Sequence, residues 1–291
     1  MKTLRVRIQE AAQRYAVPQP TIEKDYALSY LLVGVASQPA LESALVFKGG
    51  TALKKLFFGD YRFSEDLDFS TQDAPMGEAL EDAFRAAADE ALRRLTAHGP
   101  FSVEFERYVE REPHPHGQEA FTIRVRFPWQ PRPLCRIRAE VTHDEPVLMA
   151  PTKRSIIHGH DQENLHAEVY AYRLEEIVAE KLRTLLQTRQ KMVLRGWARP
   201  HARHYYDLWR ILDTFGGDLE WEGFMPLLRA KCAHRSVSFS ELDDFFSEEL
   251  VTRACDHWDA SLRAFVAELP ECEHVLDRLR LHLRTIFHVP R

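Results

Sequence analysis

The residues best able to do chemistry are Phe47-Lys48-Gly49-Gly50-Thr51 and, one predicted strand later, Asp66-Leu67-Asp68. Residues two apart on a strand point to the same face, so Asp66 and Asp68 can present both carboxylates to one divalent cation while Leu67 faces the core. Hard oxygen donors at that spacing suit Mg²⁺ or Mn²⁺. Adjacent glycines ahead of a helix let the backbone approach a phosphate closely, and Thr51 adds a hydroxyl. A lone D-x-D pair is commonly no more than two solvated carboxylates. The Gly-Gly-Thr turn upstream is what points the pair toward a phosphate-bearing ligand.

These residues need a scaffold. Residues 4–15 and 21–36 read as helices separated by Pro18-Gln19-Pro20, with Thr21 as N-cap of the second. Leu45-Val46-Phe47 reads as a buried strand stopped by Gly49-Gly50, and a helix from Thr51 to Phe58 leads to a strand through Leu67 and Phe69. Leu80, Phe84, Ala87, Ala88, Ala91 and Leu95 recur at helical spacing, predicting an amphipathic helix over 77–97 that covers a sheet. Residues 101–109, 120–127 and 134–142 alternate as antiparallel strands, Phe121, Ile123, Val125 and Phe127 opposing Arg124 and Arg126. Residues 143–171 look irregular. Beyond them 173–190, 203–214, 220–231, 240–268 and 271–286 read as helices. The pattern predicts an α+β fold: a small mixed β-sheet lobe over 1–150 and a helical C-terminal lobe over 151–291, the boundary falling near 150–172 and the ligand in a cleft.

At 291 residues, with 45% hydrophobic and 29% charged side chains, the chain has globular rather than disordered composition. No apolar run approaches a spanning helix and no signal peptide opens the sequence, so a cytoplasmic protein with no membrane association is expected. Cys135, Cys232, Cys255 and Cys272 lack C-x-x-C spacing, and reduced, buried thiols are expected of all four. The net charge of −5 is unevenly spread, residues 172–210 holding a surplus of five positive charges. Arg183, Arg189, Lys191, Arg195, Arg199 and Arg203 form one run without an acid, and Arg124, Arg126, Arg132, Arg136 and Arg138 another. Such runs either hold nucleic-acid phosphates or form solvated faces. Trp197 beside Arg195 and Arg199 could stack a base or pack between helices.

The string FKGGTALKKLFFGDYRFSEDLDFS, residues 47–70, resembles the signature of the AbiEii/AbiGii toxin family of nucleotidyltransferases, in the DNA-polymerase-β-like superfamily. Glu175-Glu176-Ile177-Val178-Ala179-Glu180-Lys181-Leu182 and Arg203-His204-Tyr205-Tyr206-Asp207-Leu208 resemble the family's E-E-x-x-A-E-K-L and R-D-x-Y-D-L helices, and Glu23-Lys24-Asp25-Tyr26 is similar to a string near its N-terminus. The last eighty residues carry no recognised motif. The resemblance implies metal-dependent transfer of a nucleoside monophosphate from an NTP with loss of pyrophosphate. It implies Asp66 and Asp68 as metal ligands and a third carboxylate on an adjacent strand, for which Glu140 is the first candidate and Asp144 the second. Glu140 could equally be a surface partner of Arg138. Lys181 is placed as the triphosphate cation or else as a snorkelling helix lysine, with Lys48, Lys54 or Arg203 as substitutes, and Asp207 as its holder or as a structural ion pair. Gly49, Gly50, Thr51, Lys181 and Arg203 are the expected NTP contacts, and Arg124, Arg126, Arg195 and Arg199 the expected nucleic-acid contacts. His204 stands where the family usually has Asp.

Three functions follow. The first is a toxin of a toxin–antitoxin or phage-abortive-infection system, moving an NMP to RNA, with the acceptor end of tRNA as target and a cognate antitoxin encoded nearby. The second is a transferase acting on a protein or small molecule. The third is a catalytically weak RNA- or partner-binding module. The histidine pairs His114-Pro115-His116 and His158-Gly159-His160 have no partners at metal-ligand spacing, and neither H-E-x-x-H, Walker A nor G-x-S-x-G occurs.

Overall fold

The computed structural model describes residues 2–109, 117–159 and 163–288, so His114, His116 and His160 lie outside the described residues. It divides into two units, Met1–Tyr172 with Phe265–Ala267, and Arg173–Ala264 with Glu268–Arg291.

The first unit opens with α1 (Leu4–Arg14), α2 (Gln19–Ala36) and α3 (Pro39–Glu42). Helix α2 begins ahead of the expected Thr21 cap, because Pro20 falls in the first turn, where its missing N–H has no partner to lose. Then come β1 (Leu45–Lys48), the short α4 (Gly49–Ala52) running into a wide turn at Leu53–Phe57, β2 (Asp66–Thr71) and α5 (Glu78–Leu95). All six apolar residues of the α5 stripe are buried. Strands β3 (Ser102–Tyr108), β4 (Gln118–Arg126) and β5 (Cys135–Thr142) form the expected antiparallel meander. The stretch read as irregular supplies two more strands, β6 (Thr152–Ser155) and β7 (Glu168–Ala171). The seven strands make one mixed sheet, ordered β3-β4-β5-β2-β1-β7-β6. At its centre β2 lies antiparallel to β1 and parallel to β5, and β1 is parallel to β7. Leu67, Phe69, Ile137, Ala139 and Val141 enter the core under this centre, leaving their strand neighbours on the opposite face.

The second unit is helical: α6 (Leu174–Arg195), α7 (Ala202–Phe215), α8 (Phe224–His234), α9 (Glu248–Asp256), α10 (Trp258–Leu262) and α11 (Cys272–Phe287). The single helix expected over 240–268 is broken into a 3₁₀ turn at Leu242–Phe246, α9 and α10. Glu241 and Asp244 form a reciprocal capping box, and Ser247 is extended, so the chain restarts there. Cys255 and Cys272 are joined as a disulfide, which corrects the expectation of four reduced thiols. They lie on α9 and α11, and their sequence spacing gives no hint that these helix ends meet. Cys135 and Cys232 are free and buried, and burial pushes their thiols up to about 12 and about 11. No helix among the described residues is long and apolar enough to cross a membrane.

Candidate active site

Strand register assembles the first group of residues. Asp68 on β2 lies directly across from Glu140 on parallel β5 and from Lys48 on antiparallel β1, while Asp66 lies across from Arg138. Directly opposed residues share a face, so Asp66, Asp68, Glu140, Lys48 and Arg138 stand together on the side away from the buried Leu67 and Ala139. Asp144, the second candidate for a third carboxylate, lies beyond the end of β5.

The glycines are explained by their neighbours. Gly49 has φ +78°, in the left-handed region, and a Cβ there would collide with Asp68 Oδ2. A Cβ on Gly50 would stand 2.5 Å from Arg62 Nη2 and 3.1 Å from Ser64 Oγ. The turn therefore makes room for the Asp68 carboxylate and the buried Arg62 guanidinium of the site itself. Thr51 is buried, and its hydroxyl donates to the Asp66 carbonyl at 2.5 Å, tying the turn to the start of β2.

Charge is crowded on this face. Asp66 is open to solvent on one side, yet the protein around it, and then the Glu140 and Glu65 carboxylates, push its carboxyl above the usual range, with Lys24 and Arg138 pulling the other way. Glu140 Oε1 lies 2.8 Å from Arg138 Nε, the ion pair that the sequence left open as an alternative. Among the described residues no three carboxylate, imidazole or thiol groups stand close enough to hold an ion as placed. Asp66 and Asp68 carry the hard oxygen donors that a divalent cation takes, and such a cation, if bound, would offset the repulsion between Asp66 and Glu140.

The Glu23-Lys24-Asp25-Tyr26 string braces the same unit. Glu23 accepts from Trp129 Nε1 at 2.9 Å and Gln130 Nε2 at 2.7 Å, Lys24 pairs with Glu65 at 2.8 Å beside Asp66, and Asp25 neutralises the buried Lys55 at 2.7 Å. Tyr26, Tyr30, Arg7 and His158 all direct polar atoms at the Glu163 carboxylate.

In the second unit Lys181 Nζ donates to Asp207 Oδ2 at 2.6 Å, and both side chains are buried. The preceding glutamates of the helix have structural partners. Glu175 accepts from Arg173 and the Glu220 N–H, and Glu176 forms a 2.8 Å ion pair with Lys231 in which both side chains are fully enclosed. Arg203 donates Nε to the Ser261 carbonyl at 3.0 Å.

Of the two basic runs, much is internally paired. Arg124 lies across from Glu104 and bonds Glu106, Arg126 donates to Ser102 Oγ, Arg183 is buried beside Glu180 and Gln187, and Arg189 pairs with Asp244. For Arg124 and Arg189 the acids absent from the runs in sequence thus arrive from neighbouring elements. Lys191, Arg195 and Arg199 are exposed, as is Trp197 at 59%, which excludes the reading of that indole as packed between helices. Close by, burial and then the charges of Lys191, Arg199, Lys181 and Arg253 depress the His201 imidazole to about 4.

A family model described as the nucleotidyl transferase AbiEii toxin of type IV toxin–antitoxin systems matches residues 30–280. The chain belongs to the AbiEii family. It is accordingly an NTP-dependent nucleotidyltransferase toxin, and the AbiEii match extends through most of the C-terminal segment in which no motif was recognised. The chain is also similar in structure to MenT4, a nucleotidyltransferase toxin from Mycobacterium tuberculosis, with a TM-score of 0.66 and 20% identity over 99% of this chain and 91% of that one. At that identity the likeness speaks for the fold. Comparison with curated proteins finds no match. Within this AbiEii chain, Arg62, against Gly50, gains a weight that sequence reading did not give it, and Lys48, named there only as a substitute phosphate cation, stands in the Asp68 row. All four residues of β1 are buried, which erases the alternation that would have placed Lys48 on a face.

Proposed function

We propose that this chain moves a nucleoside monophosphate from an NTP to an RNA acceptor in a metal-dependent reaction, with tRNA ends as the favoured target. The observation that carries the reading is the common face formed by Asp66, Asp68 and Glu140 beside the Gly49-Gly50 turn, in a chain of the AbiEii family. Asp66 and Asp68 would hold Mg²⁺ or Mn²⁺, which when bound neutralises phosphate charge and activates the attacking oxygen. Glu140 would leave Arg138 to join them or to accept the acceptor hydroxyl's proton on a carboxylate oxygen. The acceptor oxygen forms its bond to the α-phosphorus as the α–β bridge breaks and pyrophosphate leaves. Lys181, which donates to Asp207, and Arg203 are kept as phosphate contacts on the strength of the family motifs alone. Exposed Lys191, Arg195 and Arg199 offer phosphate contacts and Trp197 a stacking face, features that favour RNA over a protein acceptor. Under this reading an antitoxin counters the activity in the cell, and the enzyme works in the cytoplasm.

The purified chain would be incubated with each labelled NTP, Mg²⁺ or Mn²⁺, and either total RNA or total protein, with Asp68→Ala as control. Label in RNA that vanishes in the control is expected. Label in protein alone makes the acceptor a protein, and equal labelling by Asp68→Ala overturns the site.

A further inference from the structure

The row across the three central strands contains one residue that the transfer chemistry leaves unexplained. Lys48 ends β1, and its partner in register is Asp68, which is itself the partner of Glu140. Directly opposed side chains stand about 5 Å apart at Cβ. Only 8% of Lys48 is exposed, and its Nζ sits 5.6 Å above the ring of Tyr172. Tyr172 is wholly buried, its hydroxyl 2.7 Å from Ser70 Oγ, so the floor beneath the ammonium is fixed. A buried ammonium is retained only beside compensating negative charge. Asp68 and Glu140 are the carboxylates its own row supplies.

We propose that Lys48 is a positioning residue that serves as the resident positive charge at Asp68, steadying that carboxylate before metal arrives and discriminating between a bare divalent ion and the metal–nucleotide complex. The inference rests on the reading of Asp66 and Asp68 as metal ligands. The physics is simple Coulomb bookkeeping. A fixed ammonium beside the site repels an incoming M²⁺, whereas the metal–NTP complex carries net negative charge and is attracted by the same ammonium. The site is therefore built to stay weakly occupied until metal and nucleotide come together. Replacing Lys48 by a neutral side chain should reverse the preference, tightening the free ion and weakening the complex. An arginine keeps the charge and should preserve it.

The test uses the full chain and Mn²⁺ alone, with free Mn²⁺ followed by electron paramagnetic resonance, on wild type, Lys48→Met, Lys48→Arg and Asp68→Asn. Lys48→Met is expected to bind Mn²⁺ on the order of tenfold tighter than wild type, Lys48→Arg to match wild type, and Asp68→Asn to lose binding. Thermal melting should show Lys48→Met destabilised in EDTA and recovered by Mn²⁺, while its KM for Mn²⁺–NTP rises. Unchanged or weaker Mn²⁺ binding by Lys48→Met, with the same loss of stability in EDTA and in Mn²⁺, overturns the inference and leaves Lys48 a structural ion-pair partner. Wild-type binding that Asp68→Asn does not alter overturns the metal-ligand reading and this inference with it. Should Lys48→Met fail to fold, Lys48→Gln gives the same readout.

Discussion

Replacing Gly49 by alanine separates the geometry of the site from the stability of the fold. The residue sits at φ +78°, and a left-handed conformation costs a non-glycine residue about 1–2 kcal/mol. The added methyl would also overlap Asp68 Oδ2 and lie 3.2 Å from Asp68 Cβ. Because the carboxylate is the movable end of a side chain, it yields by about 1 Å rather than unfolding the turn, and misplacement on that scale costs a catalyst roughly 100-fold. Gly49→Ala should therefore lose about 1–2 kcal/mol in urea unfolding and about two orders of magnitude in NMP transfer. Gly50→Ala provides the contrast. Its φ lies outside the left-handed region, so its cost arises from the buried Arg62 guanidinium 2.5 Å from the new methyl, and stability should suffer more than transfer. Paired measurement of unfolding and of labelled NMP incorporation decides the matter. Transfer by folded Gly49→Ala within twofold of wild type would refute the claim that this glycine exists to seat Asp68.

Three further outcomes follow from other parts of the molecule. His201 is depressed from its ordinary 6.5 to about 4, so the unfolded chain takes up its proton first as pH falls; stability should drop by roughly 3 kcal/mol between pH 6.5 and 4, and His201→Phe should flatten that part of a pH–stability profile. Charge reversal at Arg195 and Arg199 should weaken RNA binding and flatten its salt dependence, whereas reversal at Arg124, already bonded to Glu106, should barely change either in a binding titration. Reduction of Cys255–Cys272, or replacement of both by serine, should lower stability by about 3 kcal/mol, as expected for a short closed loop; their sequence separation is 17, and identical melting with and without dithiothreitol in the wild type would show that the bond does not form in solution.

The parts of the fold that sequence made legible are those where one local period decides. The α5 stripe buries one face as expected, and in β4 the expected apolar set of Phe121, Ile123 and Val125 is buried while Arg124 and Arg126 stay partly open, although Ala120 and Thr122 on the other face are buried too. The short strands escaped because Thr152-Lys153-Arg154-Ser155 is an exposed edge strand without an apolar face, held by pairing to β7 that no local pattern announces. The 240–268 stretch has helical composition throughout, yet the Glu241–Asp244 capping box breaks it, and side-chain caps outweigh propensity there. In the site, the D-x-D spacing was sufficient for Asp66 and Asp68, since neighbours on one strand share a face by geometry alone. The pairing of Glu140 with Arg138, two apart on β5, was legible for the same reason, whereas the places of Lys48 and Arg62 depend on register between strands and on close packing at Gly50, which are long-range facts. The basic runs misled for the same reason, their counter-ions being distant in sequence and adjacent in space.

The parallel pairing of β2 with β5 also bears on when, during synthesis, this face can assemble. Parallel neighbours cannot be joined by a tight turn, and here the connection is α5 followed by β3 and β4. During synthesis Asp66 and Asp68 leave the ribosome long before the strand that carries Glu140, and Lys181 and Asp207 later still. A nascent chain or a premature truncation ending ahead of Cys135 holds the aspartates with no β5 to set Glu140 across from Asp68. The face shared by Asp66, Asp68 and Glu140 therefore comes into being only with the β2–β5 pairing, a long-range event that no local turn can bring forward.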